Sequence, residues 1–210
     1  LDGIHVRYEN TEEIYEEISK ASQKEATEIL QKIYTAPVKE NLIGDVIKKI
    51  KDSNSRCFAS FVPASTKRFA PVAVEAGCDS IVIQSTVTTA RHNSKSLEGL
   101  VLSKIVESIK VPIIVGNTVT YNVSRELMET GIHGILVGVG PGSACTSREV
   151  LGVGVPQVSA TLECSSARDD YFKLTGRYVS IITDGGIRTG GELCKSFVAG
   201  ADAVMIGSPF

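Results

Sequence analysis

The sequence predicts a parallel α/β fold, and within that class an incomplete (β/α)8 barrel. Three observations carry the prediction. Short, nearly all-apolar runs alternate with longer amphipathic ones, and the short runs are rich in Ile and Val, as strands buried on both faces require. A small unit recurs: Glu75-Ala76-Gly77-Cys78-Asp79, Glu129-Thr130-Gly131-Ile132-His133 and Val198-Ala199-Gly200-Ala201-Asp202 each precede an apolar run. Each copy puts a Gly where a helix must end in left-handed conformation before a strand starts. Finally, there are six such runs in 210 residues, whereas a closed barrel needs about eight strands.

Taken in order, the first 51 residues read as a polar helical segment. Asn10 followed by Glu13 resembles a capping box, opening one amphipathic stretch from Thr11 to Tyr34 on which Ile14, Ile18, Ala21, Ala26, Leu30 and Ile33 keep helical spacing. Pro37 ends it, and a second helix covers about Leu42 to Lys51. Strands are expected at 57–62, 79–83, 111–115, 134–138, 178–183 and 202–206, with helices at 65–77, 96–109, 123–131, 157–175 and 190–200. Residues 52–210 would then supply strands three to eight of one partial barrel domain spanning 1–210. Six strands with two raw edges are an aggregation hazard, which points to a piece of a longer protein.

Composition narrows the function classes. Apolar residues make up 42% and charged residues 22%, with a formal net charge of −2. No dense Lys/Arg stripe is present, so the footprint of a nucleic-acid binder is missing. No apolar run is long enough to span a membrane. The five cysteines, at 57, 78, 145, 164 and 194, show no CxxC or His/Cys metal spacing. Reduced thiols in a cytoplasm are expected, four of them acting as buried small hydrophobes.

The fifth is Cys145, in Gly138-Val139-Gly140-Pro141-Gly142-Ser143-Ala144-Cys145-Thr146-Ser147-Arg148. This segment follows a strand, at the end of a barrel where active sites lie. Its glycines permit backbone geometry closed to other residues; their carbonyls can cradle a cation and nearby amides can approach a phosphate. A thiol on a polar loop with Arg148 three residues on is set up to ionise, and the thiolate is the reactive form. From this window alone, a glycine-rich loop with a bystander Cys is an equal alternative.

Two further motifs follow the last two predicted strands, where barrels commonly bind phosphate. In Asp184-Gly185-Gly186-Ile187-Arg188, Asp184 can accept from two ribose hydroxyls; after the next strand come Gly207 and Ser208. Backbone N–H groups of Gly186, Gly207 and Ser208 are candidate phosphate donors. The alternative is that Asp184 caps the helix beginning near Thr189 and the glycines only turn the chain. Asn117 and Gln84-Ser85-Thr86 end other strands and are weaker candidates, equally readable as turn residues. His5, His92 and His133 are scattered, with no triad or ligand spacing, and His133 suits a turn between elements.

In order and spacing, residues 138–148, Gly152-Val153-Gly154-Val155-Pro156-Gln157, 184–188 and 200–208 resemble the IMP dehydrogenase/GMP reductase family. The Cys loop is specific to that family; the Asp-Gly-Gly and Gly-Ala-Asp-Ala motifs also occur in FMN-dependent barrels. The strong likeness covers residues 111–210, while 1–110 look more like the family's divergent branch without the inserted CBS pair. The resemblance implies a TIM barrel in which Cys145 attacks C2 of a purine nucleoside monophosphate, with Ser147 in the position of a catalytic Thr. It implies that Ser143, Asp184, Gly186, Gly207 and Ser208 hold the nucleotide, that Asn117 and Gly138 face the nicotinamide of NAD, and that Gly140, Gly142 and the Cys145 carbonyl hold K+. Gln84 stands where the dehydrogenases carry an Asp that contacts the cofactor ribose. The implied reaction is IMP dehydrogenation. The alternatives are GMP reduction with NADPH and a catalytically silent nucleotide-binding protein. A homotetramer is usual in the family.

Overall fold

The computed structural model describes residues 1, 3–90 and 99–210. It contains a six-stranded parallel sheet in sequential order: β1 (Phe58–Phe61), β2 (Ser80–Gln84), β3 (Ile113–Thr118), β4 (Gly134–Val137), β5 (Ser180–Asp184) and β6 (Ala203–Met205). Helices lie between successive strands: α4 (Pro63–Glu75), α5 (Leu102–Ser108), α6 (Tyr121–Glu129) and α7 (Gln157–Thr175), with α8 (Gly190–Val198) leading into β6. Every strand pairs with its sequence neighbour, as in consecutive βα units of a (β/α)8 barrel. The expected helix at 96–109 is present only as α5; its residues 96–98 lie outside the described set.

Strand alternation divides the apolar residues between two faces. Ile81, Ile83, Ile113, Val115, Ile135, Val137 and Ile181 join the main core, against helix residues such as Phe69, Ala73, Leu127, Met128 and Ala167. Val82, Ile114 and Leu136, with Ile182, form a separate cluster on the opposite face. Both faces are thus apolar, which is why the strands read as unbroken hydrophobic runs. One step further along each strand, the inner row changes from aliphatic to polar or side-chain-free: Gln84, Gly116, Gly138 and Asp184.

The recurring Gly unit has a physical purpose. The backbone N–H of its fifth residue donates to the start of the preceding strand: Asp79 to Cys57 O, His133 to Ile113 O and Asp202 to Ile181 O, each at 2.8 Å. The side chain of the same residue accepts from the same strand residue's N–H. Asp79 Oδ2 accepts from Cys57 N at 2.7 Å, His133 Nδ1 from Ile113 N at 3.1 Å and Asp202 Oδ2 from Ile181 N at 2.8 Å. The unit therefore staples adjacent strands in register at their amino ends. Asp79 also binds Lys51 and Arg56, which hold its carboxyl far below the usual range.

The amino-terminal segment departs from expectation. The stretch from Thr11 to Tyr34 is two helices, α1 (Glu12–Lys20) and α2 (Gln23–Ile33), followed by α3 (Glu40–Asp52). Ser22 makes the break: its extended backbone and a capping box with Glu25, in which Glu25 Oε2 accepts from Ser22 N at 2.9 Å, start a new helix. The Asn10–Glu13 signal forms no such box. Thr11 makes no side-chain cap bond, and Asn10 Oδ1 accepts from Glu12 N at 3.3 Å. Three cysteines rather than four are buried, at 57, 78 and 164; Cys194 is exposed on α8, one face of which points to solvent. No helix among the described residues is long and apolar enough to cross a membrane.

Candidate active site

At the carboxyl ends of the strands lies a cavity of about 550 Å³, lined among others by Gln84, Asn117, Gly138, Cys145, Ser147 and Asp184. Its floor is the polar inner row. Gln84 Nε2 donates to Asp184 Oδ2 at 2.9 Å and to Asn117 Oδ1 at 3.1 Å; Asn117 Nδ2 donates to the same Asp184 Oδ2 at 2.8 Å. The three side chains close a triangle. Strand parity alone would turn Asn117 the other way; the irregular register between Gly116 and Thr118 turns it inward. Burial pushes the Asp184 carboxyl up, and the Asn117 and Gln84 amides pull it back down.

The wall is the loop after β4. Gly138 takes a φ of +145°, and a Cβ there would lie 2.5 Å from Asp184 O. Only glycine lets the β4 and β5 ends meet so closely. The Asp-Gly-Gly turn packs beneath the loop, with a Gly185 Cβ position 3.1 Å from Pro141 Cγ. Cys145 and Ser147 sit further along this loop, at the mouth of the cavity. Cys145 is exposed, Ser147 is half-buried, and the two are linked by an Sγ–Oγ hydrogen bond of 3.3 Å. The thiol donates in its neutral form; once ionised it accepts from the hydroxyl. That hydrogen bond, the Ser147 backbone N–H and the positive Arg148 lower the thiol's pKa from its ordinary value. Ser147 opens a π-helical turn, Ser147–Leu151, ended by left-handed Gly152. Arg148 Nη2 donates to Val155 O at 2.7 Å and so ties the turn back onto the chain.

The structure thus gathers Cys145, Ser147, Asp184, Asn117, Gly138, Gly140 and Gly142 around one cavity, and adds Gln84, Ser85 and Thr86. Ser143, Gly186, Gly207 and Ser208 lie outside its lining. Gly186 abuts Pro141 O, and Gly207 and Ser208 are exposed after β6. Asp184 does not cap α8; Thr189 does, in a capping box with Glu192. Sequence reasoning assigned no role to Gln157, the first residue of α7. Its Nε2 donates to Val137 O at 2.6 Å, holding the end of β4 behind the site. A polar side chain directly after Pro156 at a helix start is the signal that could have found it.

Six parallel strands joined as consecutive βα units, with a thiol loop at their carboxyl ends, make the chain part of a (β/α)8 barrel by architecture. Comparison with known proteins makes the assignment narrower. Residues 5–210 match the family described as the IMP dehydrogenase / GMP reductase domain, and the chain belongs to that family. It is 33% identical over 215 residues to a Mycolicibacterium smegmatis protein described as an uncharacterized oxidoreductase, covering 99% of this chain and 57% of that protein. Inosine-5'-monophosphate dehydrogenase of Cryptosporidium parvum is 44% identical over 139 residues, covering 66% of this chain and 32% of that enzyme. The crystal structure of an IMP dehydrogenase/GMP reductase-like protein from Corynebacterium glutamicum superimposes with a TM-score of 0.87 at 33% identity, over 99% of this chain and 55% of that one. The chain spans about half the length of the full-length oxidoreductases it matches.

Proposed function

We propose that the parent protein is a purine nucleotide oxidoreductase acting through a covalent Cys145 adduct, with IMP dehydrogenation as the reaction. The observation that carries this reading is an exposed thiol with a lowered pKa and a half-buried carboxylate lining one cavity. Asp184 would accept from ribose hydroxyls; this is supported by both amide donors falling on its Oδ2, which leaves Oδ1 available. Ser143, Gly186, Gly207 and Ser208 would hold the 5'-phosphate. With the ribose fixed, the Cys145 sulfur would add to C2 of the base, the C2 hydrogen would leave as hydride, and water would then release xanthosine monophosphate and restore the thiol; Ser147, hydrogen-bonded to that sulfur, steadies the thiolate beforehand. A nicotinamide cofactor, NAD in the dehydrogenase, supplies hydride transfer when bound. Gly138 and Asn117 fit its nicotinamide half: one brings no side chain, and the other's amide is held flat by Gln84 and Asp184. The carbonyls of Gly140, Gly142 and Cys145 are hard oxygen donors from one short loop and suit K+; no acidic, His or Cys cluster among the described residues offers another metal site.

The test is turnover of the full-length protein with IMP plus NAD and, separately, GMP plus NADPH. Formation of xanthosine monophosphate supports the reading. Formation of IMP from GMP moves the same thiol to reductase chemistry. Cys145→Ala should keep nucleotide affinity and lose essentially all turnover; a near-normal rate would remove the thiol from its role.

A further inference from the structure

We infer that Gln84 is a positioning residue: through the triangle with Asn117 and Asp184 it fixes the Asp184 carboxylate so that Oδ1 meets the bound nucleotide's ribose. This rests on the proposed nucleotide reading of the cavity. The argument is one of donor count. Asp184 is partly desolvated, and its Oδ2 is satisfied by two amide N–H groups, one of them from Gln84. Gln84 spends its other N–H on Asn117 Oδ1. That bond fixes which way the Asn117 amide faces, and so guarantees that its Nδ2, not its carbonyl, meets Asp184. One side chain thereby sets the orientation of both others. A Glu side chain, which matches Gln84 in length, would put a carboxylate about 3 Å from Asp184, where two like charges cannot both persist. The neutral amide instead supplies a donor at every pH.

Among the described residues, no charged side chain contributes to the environment of Asp184. The elements packed against it bring Gln84 from β2, Asn117 from β3, Gly138 from the end of β4, Met205 from β6 and Gln157 from α7. Cys145 is the titratable side chain elsewhere on the cavity lining among the described residues.

Gln84→Glu and Gln84→Met test the inference in the full-length protein. In the Glu variant the two carboxyls share a proton at low pH, and the protonated carboxyl at position 84 then donates to Asp184, although its single O–H cannot also hold Asn117 Oδ1 as the amide does. As pH rises through the pair's raised pKa the donor is lost and repulsion replaces it. The Kd for IMP, measured calorimetrically and divided by the wild-type value at each pH, should therefore be smallest at about pH 5.5, where only the bond to Asn117 is lost, and rise by about tenfold or more by pH 8. The Met variant, which has no donor, should be weakened by a factor of about ten that does not change with pH. A flat ratio for the Glu variant, or wild-type affinity in the Met variant, overturns the inference. A ligand-free readout separates it from the nucleotide reading: the gap in melting temperature between wild type and Gln84→Glu should widen as pH rises. A widening gap in a protein that binds no IMP upholds the triangle and sinks the nucleotide reading. A gap that does not move with pH sinks the triangle.

Discussion

Adding one methyl group at Gly138 should destabilise the fold severely, whereas adding one at Gly191 should not. At Gly138 the backbone φ of +145° is one that L side chains rarely adopt, at a cost of about 1–3 kcal/mol. The new Cβ would also sit 2.5 Å from Asp184 O and 2.9 Å from both amide atoms of Gln157. The nearest obstacle is backbone, paired in register with Met205, so it cannot swing aside as a long side chain would. Overpacking of this kind costs about 1–3 kcal/mol more. Together these predict a loss of about 2–6 kcal/mol, or about 5–20 °C in melting temperature for a domain of this size. Gly191 is exposed on α8, and its nearest new contact is Thr189 Oγ1 at 3.9 Å; there Ala should stabilise by up to about 1 kcal/mol. Thermal unfolding followed by circular dichroism compares the two. If Gly138→Ala melts within about 1 °C of the parent, the close junction of β4 and β5 is wrong.

Other outcomes follow from the same geometry. Brief alkylation of the native protein should label Cys145 and Cys194 and spare Cys57, Cys78 and Cys164, with Cys78 and Cys164 further protected because burial pushes each thiol up to about 11. Cys145 should react faster than Cys194 near neutral pH and slow as pH falls through its lowered pKa, and Ser147→Ala should slow it at neutral pH; mass spectrometry of the modified peptides checks both. Leu136→Ala, at a fully buried position of the inner cluster, should cost about 2–5 kcal/mol in denaturant unfolding. The strand staple at His133 accepts only when the ring is neutral, and burial lowers its pKa. The unfolded chain therefore takes up the proton first. The staple's contribution is complete above the unfolded pKa of about 6.5 and is lost as pH falls. His133→Asp, which restores the residue of the other two copies, should flatten stability between about pH 5 and 7 in urea titrations.

Much of the fold was legible because burial on both faces writes itself into a strand as a continuous apolar run. All six such runs are strands, shifted by a few residues at their ends. The amino-terminal helices were less legible. Apolar spacing continues from Ile14 to Ile33 across the break, and periodicity cannot see Ser22 turning its hydroxyl and backbone toward Glu25. For the site, loop position identified the thiol and the carboxylate. Asn117 and Gln84 could not be told from turn residues, because what recruits them is a register irregularity in β3 and a bond to Asp184, 100 positions away from Gln84. Nothing local encodes that meeting. Cys194 was misjudged for a different reason: it lies on a face of α8 that also exposes Phe197 and Val198, so an apolar setting in the sequence does not report burial there.

The cavity is built from two mechanically different materials. Gln84, Asn117 and Asp184 ride on strand ends, locked to each other and to the sheet, whereas the sulfur rides on a glycine-bearing loop tethered through Arg148 to Val155. On the proposed reading, a sugar seated on the strand side would be located by the barrel itself. The distance from sulfur to base would then be set by the loop side. Changes in the loop would tune how readily the proposed bond forms while leaving the seat of the nucleotide in place, and changes in the strands would alter what is seated while leaving the thiol in place.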